Sequence, residues 1–176
     1  MKKTLITVAL LAAAASASAA TYTWGTHDPS AESNLAYVPQ GSFSDVYSFS
    51  LGTAELTSSS VVSLNLASVY TITGGSYSLM MDTGAAGPDA GDAVMGSWSF
   101  DGTTGSTNHT VSLGAGNYYY LVTGMATGSG DASQNAGIYS IASTIVPVPE
   151  PESYALMLAG LAAVGGICAR RGKRSS

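Results

Sequence analysis

Few side chains in this 176-residue sequence have types and spacings that could support catalysis. His27 and His109 are the only histidines, and the central part of the chain offers no cysteine or third histidine to complete a tetrahedral zinc site. The abundant serines include no G-x-S-x-G nucleophile elbow. We therefore predict that both histidines occupy solvated loops or strand edges, and that the protein is not an enzyme.

A second group of candidates is the set of carboxylates in "MDTGAAGPDAGDAV", residues 81–94, which we expect to form the longest loop. Asp82, Asp89 and Asp92 supply oxygens of the kind that bind calcium. Their spacing matches no calcium-loop template such as D-x-D-x-D-G, so we favour a solvated loop and predict no cofactor. Paired carboxylates for glycoside cleavage stay open, because their separation in space decides that chemistry.

The tyrosines of "NYYYLVTG" could offer a ring on which a sugar stacks. Side chains alternate between the two faces of a strand. Tyr118 and Tyr120 should therefore share the core face with Val122, and Tyr119 should face outward with Leu121. Tyr119 is the candidate for carbohydrate contact.

Charge is divided sharply along the chain. All six basic residues lie at the two ends, and residues 21–148 contain no lysine or arginine. That span holds nine carboxylates, which are Asp28, Glu32, Asp45, Glu55, Asp82, Asp89, Asp92, Asp101 and Asp131. A body without cations cannot neutralise phosphates, so nucleic acid is excluded as a partner.

Apolar residues of the body recur with a period of two, as in "VYSFSL" and "VVSLNL", and glycine-rich turns separate the runs. This pattern is typical of strands with one buried face. We predict an all-β fold over residues 21–146, a single antiparallel β-sandwich of the jelly-roll kind with about eight strands. The body has no cysteine, so burial alone must stabilise it.

One strand, "GSFSDVYSFSL", places a carboxylate among aromatic residues. Phe43, Asp45 and Tyr47 share one face of that strand. We expect Asp45 to serve structure by accepting backbone or hydroxyl hydrogen bonds, which offsets its burial. The alternative is a contact to a ligand.

The first twenty residues have the pattern of a secretory signal peptide. Lys2 and Lys3 precede an apolar run, and "SASAA" supplies an A-x-A cleavage pattern at Ala17-Ser18-Ala19. We predict that residues 1–20 are the signal peptide and that the body is exported.

The last segment, residues 147–176, combines prolines, an apolar helix over residues 154–169 and a basic end. At about 1.5 Å per residue the apolar helix spans roughly 24 Å, against about 30 Å of hydrocarbon. Prolines before it favour an extended backbone that a processing enzyme can bind. The basic cluster, predicted to stop transfer on the cytoplasmic side, is Arg170, Arg171, Lys173 and Arg174. From these properties alone, a permanent anchor and a removable sorting signal are both open.

The three parts in this order, with Pro149-Glu150-Pro151 followed by "SYALMLAGLAAVGGICARRGKR", resemble the PEP-CTERM sorting signal of Gram-negative bacteria. The resemblance implies that an exosortase, a membrane-embedded thiol transpeptidase or protease, processes the chain near the motif. It also implies a transient inner-membrane anchor, then release or attachment at the surface, often in organisms that make exopolysaccharide. The nucleophile belongs to the exosortase, so Cys168 is not predicted to be catalytic.

"GSFSDVYSFSL" resembles the opening of the FxDxF family of PEP-CTERM proteins, with Tyr47 in place of the second phenylalanine. Together with "LGAGNYYYLVTG" it is also similar to secreted β-sandwich domains appended to bacterial peptidases. Neither family implies an active site. We therefore predict a non-enzymatic component of the cell surface or extracellular matrix, with exopolysaccharide as a possible partner. The alternative is a secreted carbohydrate-binding module, for which calcium dependence stays open, and a small hydrolase ranks third.

Overall fold

The computed structural model describes residues 17–66, 68–131, 133–146, 155–162 and 164. The predicted signal peptide before Ala17, the Pro149-Glu150-Pro151 motif, Cys168 and the basic cluster lie outside the described residues. The described part of the body forms ten strands and a 3₁₀ helix, Thr104–Ser106. The strands are β1 (Ala17–Ser18), β2 (Thr21–Thr26), β3 (Glu32–Pro39), β4 (Gly41–Leu51), β5 (Glu55–Ser63), β6 (Ile72–Asp82), β7 (Ala93–Ser99), β8 (His109–Leu113), β9 (Gly116–Ala126) and β10 (Asn135–Val146).

These strands form two sheets, which confirms the predicted all-β sandwich. A four-stranded sheet has the order β3-β10-β5-β8, and a six-stranded sheet has β4-β9-β6-β7 with β1 and β2 both added to β4. Every pairing among β3 to β10 is antiparallel. This is the strand order of an eight-stranded jelly roll.

The N-terminal strands depart from the prediction of a wholly antiparallel sheet. β1 and β2 both pair with β4 in parallel. A parallel pair needs a crossover connection, and β3 provides it because it lies in the other sheet between β2 and β4 in the chain. The added strands also cover the outer edge of β4, which would otherwise expose unpaired backbone groups.

The space between the sheets is filled largely by aromatic rings. Tyr47, Tyr77, Tyr120 and Tyr139 are fully buried there. Their hydroxyls need partners in this environment. Among the described residues, no buried side-chain nitrogen or oxygen lacks a hydrogen-bond partner, so this core combines apolar packing with a satisfied polar interior.

The chain beyond β10 is described only in part. Residues 155–162 and 164 are helical, and the large apolar side chains described there are exposed. No helix among the described residues is long and apolar enough to cross a membrane. The rest of the predicted helix, 154–169, lies outside the described residues.

Candidate functional site

Asp45 is the most deeply buried carboxylate among the described residues, with 1% of its surface exposed. It lies on β4 between Phe43 and Tyr47, which point into the same core. Its Oδ1 accepts a hydrogen bond of 2.9 Å from the backbone N–H of Ala20, and its Oδ2 accepts one of 2.6 Å from the Tyr139 hydroxyl. Asp45 therefore joins the N-terminal segment to both sheets.

The Tyr139 hydroxyl belongs to a longer chain of hydrogen bonds. Because Tyr139 donates its proton to Asp45, the Tyr47 hydroxyl must donate across the 2.8 Å that separates the two tyrosine oxygens. Tyr47 in turn accepts from Nδ2 of Asn34 at 3.1 Å. Burial raises the pKa of Tyr139, and the neighbouring Tyr47 and Asp45 add to that rise. Burial also raises the pKa of Tyr47 to about 12.

His27 is buried, so the prediction of a solvated position is wrong for this residue. Its backbone N–H bonds to the carbonyl oxygen of Ser50, which continues the parallel contact between β2 and β4 and turns the ring inward. Its Nε2 lies 2.9 Å from Oγ of Ser143, and its Nδ1 lies 3.0 Å from the backbone oxygen of Asp28.

The Ser143–His27 contact has the distance of a nucleophile and its base, but its surroundings are those of a core. Ser143 is only 2% exposed, and the Tyr120 hydroxyl lies 3.0 Å from the same Oγ. The Asp28 carboxylate does not orient the imidazole, because it accepts from the Ser30 N–H instead. Ser143 lies on β10 of the four-stranded sheet, and Tyr120 lies on β9 of the six-stranded sheet. The hydrogen bonds of Ser143 to His27 and Tyr120 therefore connect the two sheets. No local sequence pattern could predict this contact, because 116 residues separate His27 from Ser143.

His109 lies at the start of β8 and is partly buried. Its ring stacks on that of Trp98 with centroids 4.8 Å apart. Its position at a strand end agrees with the prediction, although the ring is covered on one side by the indole.

Tyr119 faces away from the core between the sheets, but it is not available to a sugar. It is absent from the core cluster that contains Tyr118, Tyr120 and Val122, as the alternation predicts. Only 1% of it is exposed, however, because the loop between β6 and β7 covers it. Its hydroxyl donates to Oδ2 of Asp92 at 2.7 Å. The prediction that the Tyr119 ring is exposed to a sugar is therefore wrong.

The carboxylates of Asp82, Asp89 and Asp92 accept hydrogen bonds from backbone N–H groups of the same loop. Asp82 accepts from the N–H of Gly87 at 3.1 Å, and Asp89 accepts from the N–H of Gly91 at 2.6 Å. Asp92 accepts from Thr83 as well as from Tyr119. The Tyr119 hydroxyl is the largest cause of the lowered pKa of Asp92. Across the part of the chain that the structure describes, no three His, Cys, Asp or Glu side chains form a cluster that could hold a metal ion.

A shallow depression of about 370 Å³ lies beside this loop, on the outside of the six-stranded sheet. Thr23, Ser48, Asp82 and Asn117 contribute polar groups to its lining. The aromatic rings that reach it, Phe49 and Tyr118, are themselves buried. The depression can therefore offer hydrogen bonds to a ligand, but no exposed aromatic face.

Comparison with known protein families identifies the C-terminal segment. Residues 147–174 match the PEP-CTERM protein-sorting motif. The chain carries a PEP-CTERM sorting motif. This motif implies export to the cell envelope or surface and processing by an exosortase. It begins at residue 147, immediately after β10 ends at Val146. The resemblance of Phe43, Asp45 and Tyr47 to the FxDxF pattern stays a prediction.

No curated protein matches the chain. Solved structures that are similar include the pre-peptidase C-terminal domain of collagenase from Bacillus anthracis, at 15% identity and a TM-score of 0.41, covering 70% of this chain and 94% of that one. Another is PliG of Aeromonas hydrophila, a periplasmic lysozyme inhibitor of g-type lysozyme, at 18% identity and a TM-score of 0.37, covering 74% and 100%. PliG of Salmonella Typhimurium has 12% identity and a TM-score of 0.31, covering 71% and 98%.

Proposed function

We propose that this protein is an exported, non-enzymatic component of the cell surface or extracellular matrix, delivered by its C-terminal sorting motif. The observation that carries the proposal is the PEP-CTERM match over residues 147–174, directly after the last strand of the sandwich. In this account the signal peptide, which the A-x-A pattern at Ala17-Ser18-Ala19 ends at residue 19 or 20, is removed during export. Residues 154–169 hold the chain in the inner membrane until the exosortase acts near Pro149-Glu150-Pro151, and the basic cluster retains the end in the cytoplasm.

The charge of the body supports a role outside the cell. Residues 21–146 contain no lysine or arginine, and their carboxylates give the domain a uniformly negative charge. Such a surface favours solubility and mutual repulsion between copies, and it repels nucleic acid.

The fate of the catalytic candidates supports a non-enzymatic role. The Ser143–His27 pair lies inside the sandwich, and the Asp82, Asp89 and Asp92 carboxylates accept hydrogen bonds from their own loop. A nucleophile or general base must reach the substrate, and these groups are occupied in holding the fold.

A carbohydrate-binding module is the alternative, and the polar depression beside the loop is the observation that favours it. Sugar recognition there would depend on hydrogen bonds from groups such as Asp82 and Asn117. The buried Tyr119 removes the stacking surface that this hypothesis needed.

Two experiments test the proposal. The first detects the protein with antibody on intact cells, comparing wild type with a variant in which Pro149, Glu150 and Pro151 are all alanine. Surface signal that disappears in the variant supports sorting, and an equal signal in both contradicts it. A variant with Glu152→Ala serves as the matched control, because it changes a neighbouring charge outside the tripeptide.

The second experiment applies the purified protein to a glycan array with and without calcium. We expect no specific binding in either condition. Reproducible binding that is lost in Asn117→Ala and kept in Asp28→Asn would contradict the purely structural role and would place a sugar site in the depression.

A further inference from the structure

Asp45 is a buried carboxylate that has no cationic partner among the described residues. All six lysines and arginines of the chain lie at positions 2, 3, 170, 171, 173 and 174, outside the described residues, and residues 21–146 contain none. The ring nitrogens of His27, the buried histidine, lie within hydrogen-bond distance of Oγ of Ser143 and of the Asp28 backbone oxygen. Buried carboxylates are ordinarily paired with a cation, because desolvation of an isolated charge is costly.

The group that contacts Oδ1 of Asp45 is the backbone nitrogen of Ala20, at 2.9 Å. The carbonyl oxygen of Ala20 accepts from the N–H of Val46 at 2.8 Å. Ala20 is therefore held against β4 through both of its backbone polar groups. Its nitrogen also forms the peptide bond that follows the A-x-A pattern Ala17-Ser18-Ala19.

We propose that Asp45 is the binding site for the α-ammonium group of the mature chain, which forms when the leader is cut between Ala19 and Ala20. A signal peptidase of the exporting membrane catalyses the step and water is consumed. The C–N bond of the Ala19–Ala20 peptide breaks, the Ala19 carbonyl carbon gains the hydroxyl oxygen as a carboxylate, and the Ala20 nitrogen leaves as an ammonium. This inference rests on the leader removal that belongs to the proposed export.

Processing completes the site. Before the cut, Ala20 offers Asp45 one amide N–H and no charge. After the cut, the same atom carries three N–H donors and a unit positive charge in the same place, while Tyr139 continues to donate to Oδ2. The short strand β1 leaves β4 with the leader, and β2 remains as the parallel edge strand. Cleavage thereby gives the exported body a positively charged α-ammonium group beside Asp45, the most buried carboxylate among the described residues.

The composition of the protein makes the test direct. Residues 20–146 contain no lysine, so the α-amine is the sole primary amine of the sandwich, and Lys173 in the tail is separated from it by peptide mapping. The full chain is exported with its own leader and purified, its first residue is read by mass spectrometry, and its amines are dimethylated with formaldehyde and cyanoborohydride near pH 7. We expect Ala20 as the first residue.

We expect the α-amine to react about tenfold more slowly in the folded protein than in urea, because a carboxylate partner favours the protonated amine and so lowers the fraction of reactive free base. Asp45→Asn should abolish this protection. If that variant does not fold, a chain produced to begin at Ala19 replaces it. Its amine lies one residue before the Ala20 nitrogen that contacts Asp45, so it should react at the rate measured in urea.

Two results would overturn the inference. One is a mature chain that begins at a residue other than Ala20, and the other is an Ala20 amine that reacts as fast in the folded chain as in urea. Both are distinguishable from failure of the proposed sorting function, because the fate of residues 147–176 is read separately at the other end of the same protein.

Discussion

The hydroxyl oxygen of Tyr139 lies 2.6 Å from Oδ2 of Asp45, with both residues almost completely buried. Tyr139 is on β10 of the four-stranded sheet and Asp45 is on β4 of the six-stranded sheet. This hydrogen bond therefore joins the two layers of the sandwich in a region where water cannot replace it.

Tyr139→Phe should destabilise the fold by about 1–3 kcal/mol. The substitution keeps the ring but removes the donor to Asp45 and the acceptor for Tyr47, so two buried polar groups lose a partner. Urea unfolding followed by circular dichroism measures the change. Tyr37→Phe is the matched control, because that ring is 53% exposed and its hydroxyl is outside this network. Equal stability of the two variants would show that the buried hydroxyl contributes nothing.

Asp92→Ala should loosen the loop between β6 and β7 while leaving the sandwich intact. The N–H groups of Thr83 and Asp89 both donate to the Asp92 carboxylate, as does the Tyr119 hydroxyl. Hydrogen exchange at these two amides should accelerate roughly tenfold, with strand amides unchanged. Asp28→Ala, which removes a similar carboxylate to backbone contact elsewhere, should leave the loop amides as they are.

The same loop contact should respond to acid with a defined sign. The pKa of Asp92 is lowered by its hydrogen bonds, first of all the one from Tyr119. The contact is therefore fully present above 3.8, the ordinary pKa of aspartate, and weakens as pH falls through the lower folded value. Faster exchange at Thr83 below pH 3.8 than at neutral pH, after correction for the intrinsic rate, is the expected result.

Strongly alkaline solution should unfold the protein as its buried tyrosines ionise. Burial raises the pKa of Tyr47 and of Tyr77 to about 12, from an ordinary value of 10.0. Their contribution to stability is fully present below about pH 10 and is lost as pH rises towards 12. Tyrosinate absorbance and circular dichroism should therefore change together. Complete ionisation of all tyrosines near pH 10, with the strand signal unchanged, would contradict the buried positions of these hydroxyls.

Much of the fold follows from side-chain periodicity. Phe43, Asp45, Tyr47 and Phe49 recur at every second position and define the buried face of β4, and the structure buries those four side chains. Short turns between such strands, in a body without disulfides, leave a two-layer sandwich as the way to bury them. The alternation also assigned Tyr118 and Tyr120 to the core.

The periodicity could not show contacts that form at a distance. Tyr119 faces outward as predicted, but whether a loop folds over it depends on the path of the loop and not on the strand. His27 is buried because β2 adds to β4 in parallel, and that pairing needs β3 to cross to the other sheet. Neither relationship leaves a local pattern in the sequence.

The C-terminus of the mature protein tests the central claim most directly. Intact mass spectrometry would compare the protein from cells with and without a functional exosortase. Our account predicts a chain that ends near Pro149-Glu150-Pro151 in the first case and at Ser176 in the second. A chain that ends at Ser176 in both would contradict it, because the tail would then be a plain membrane anchor and not a processed sorting signal.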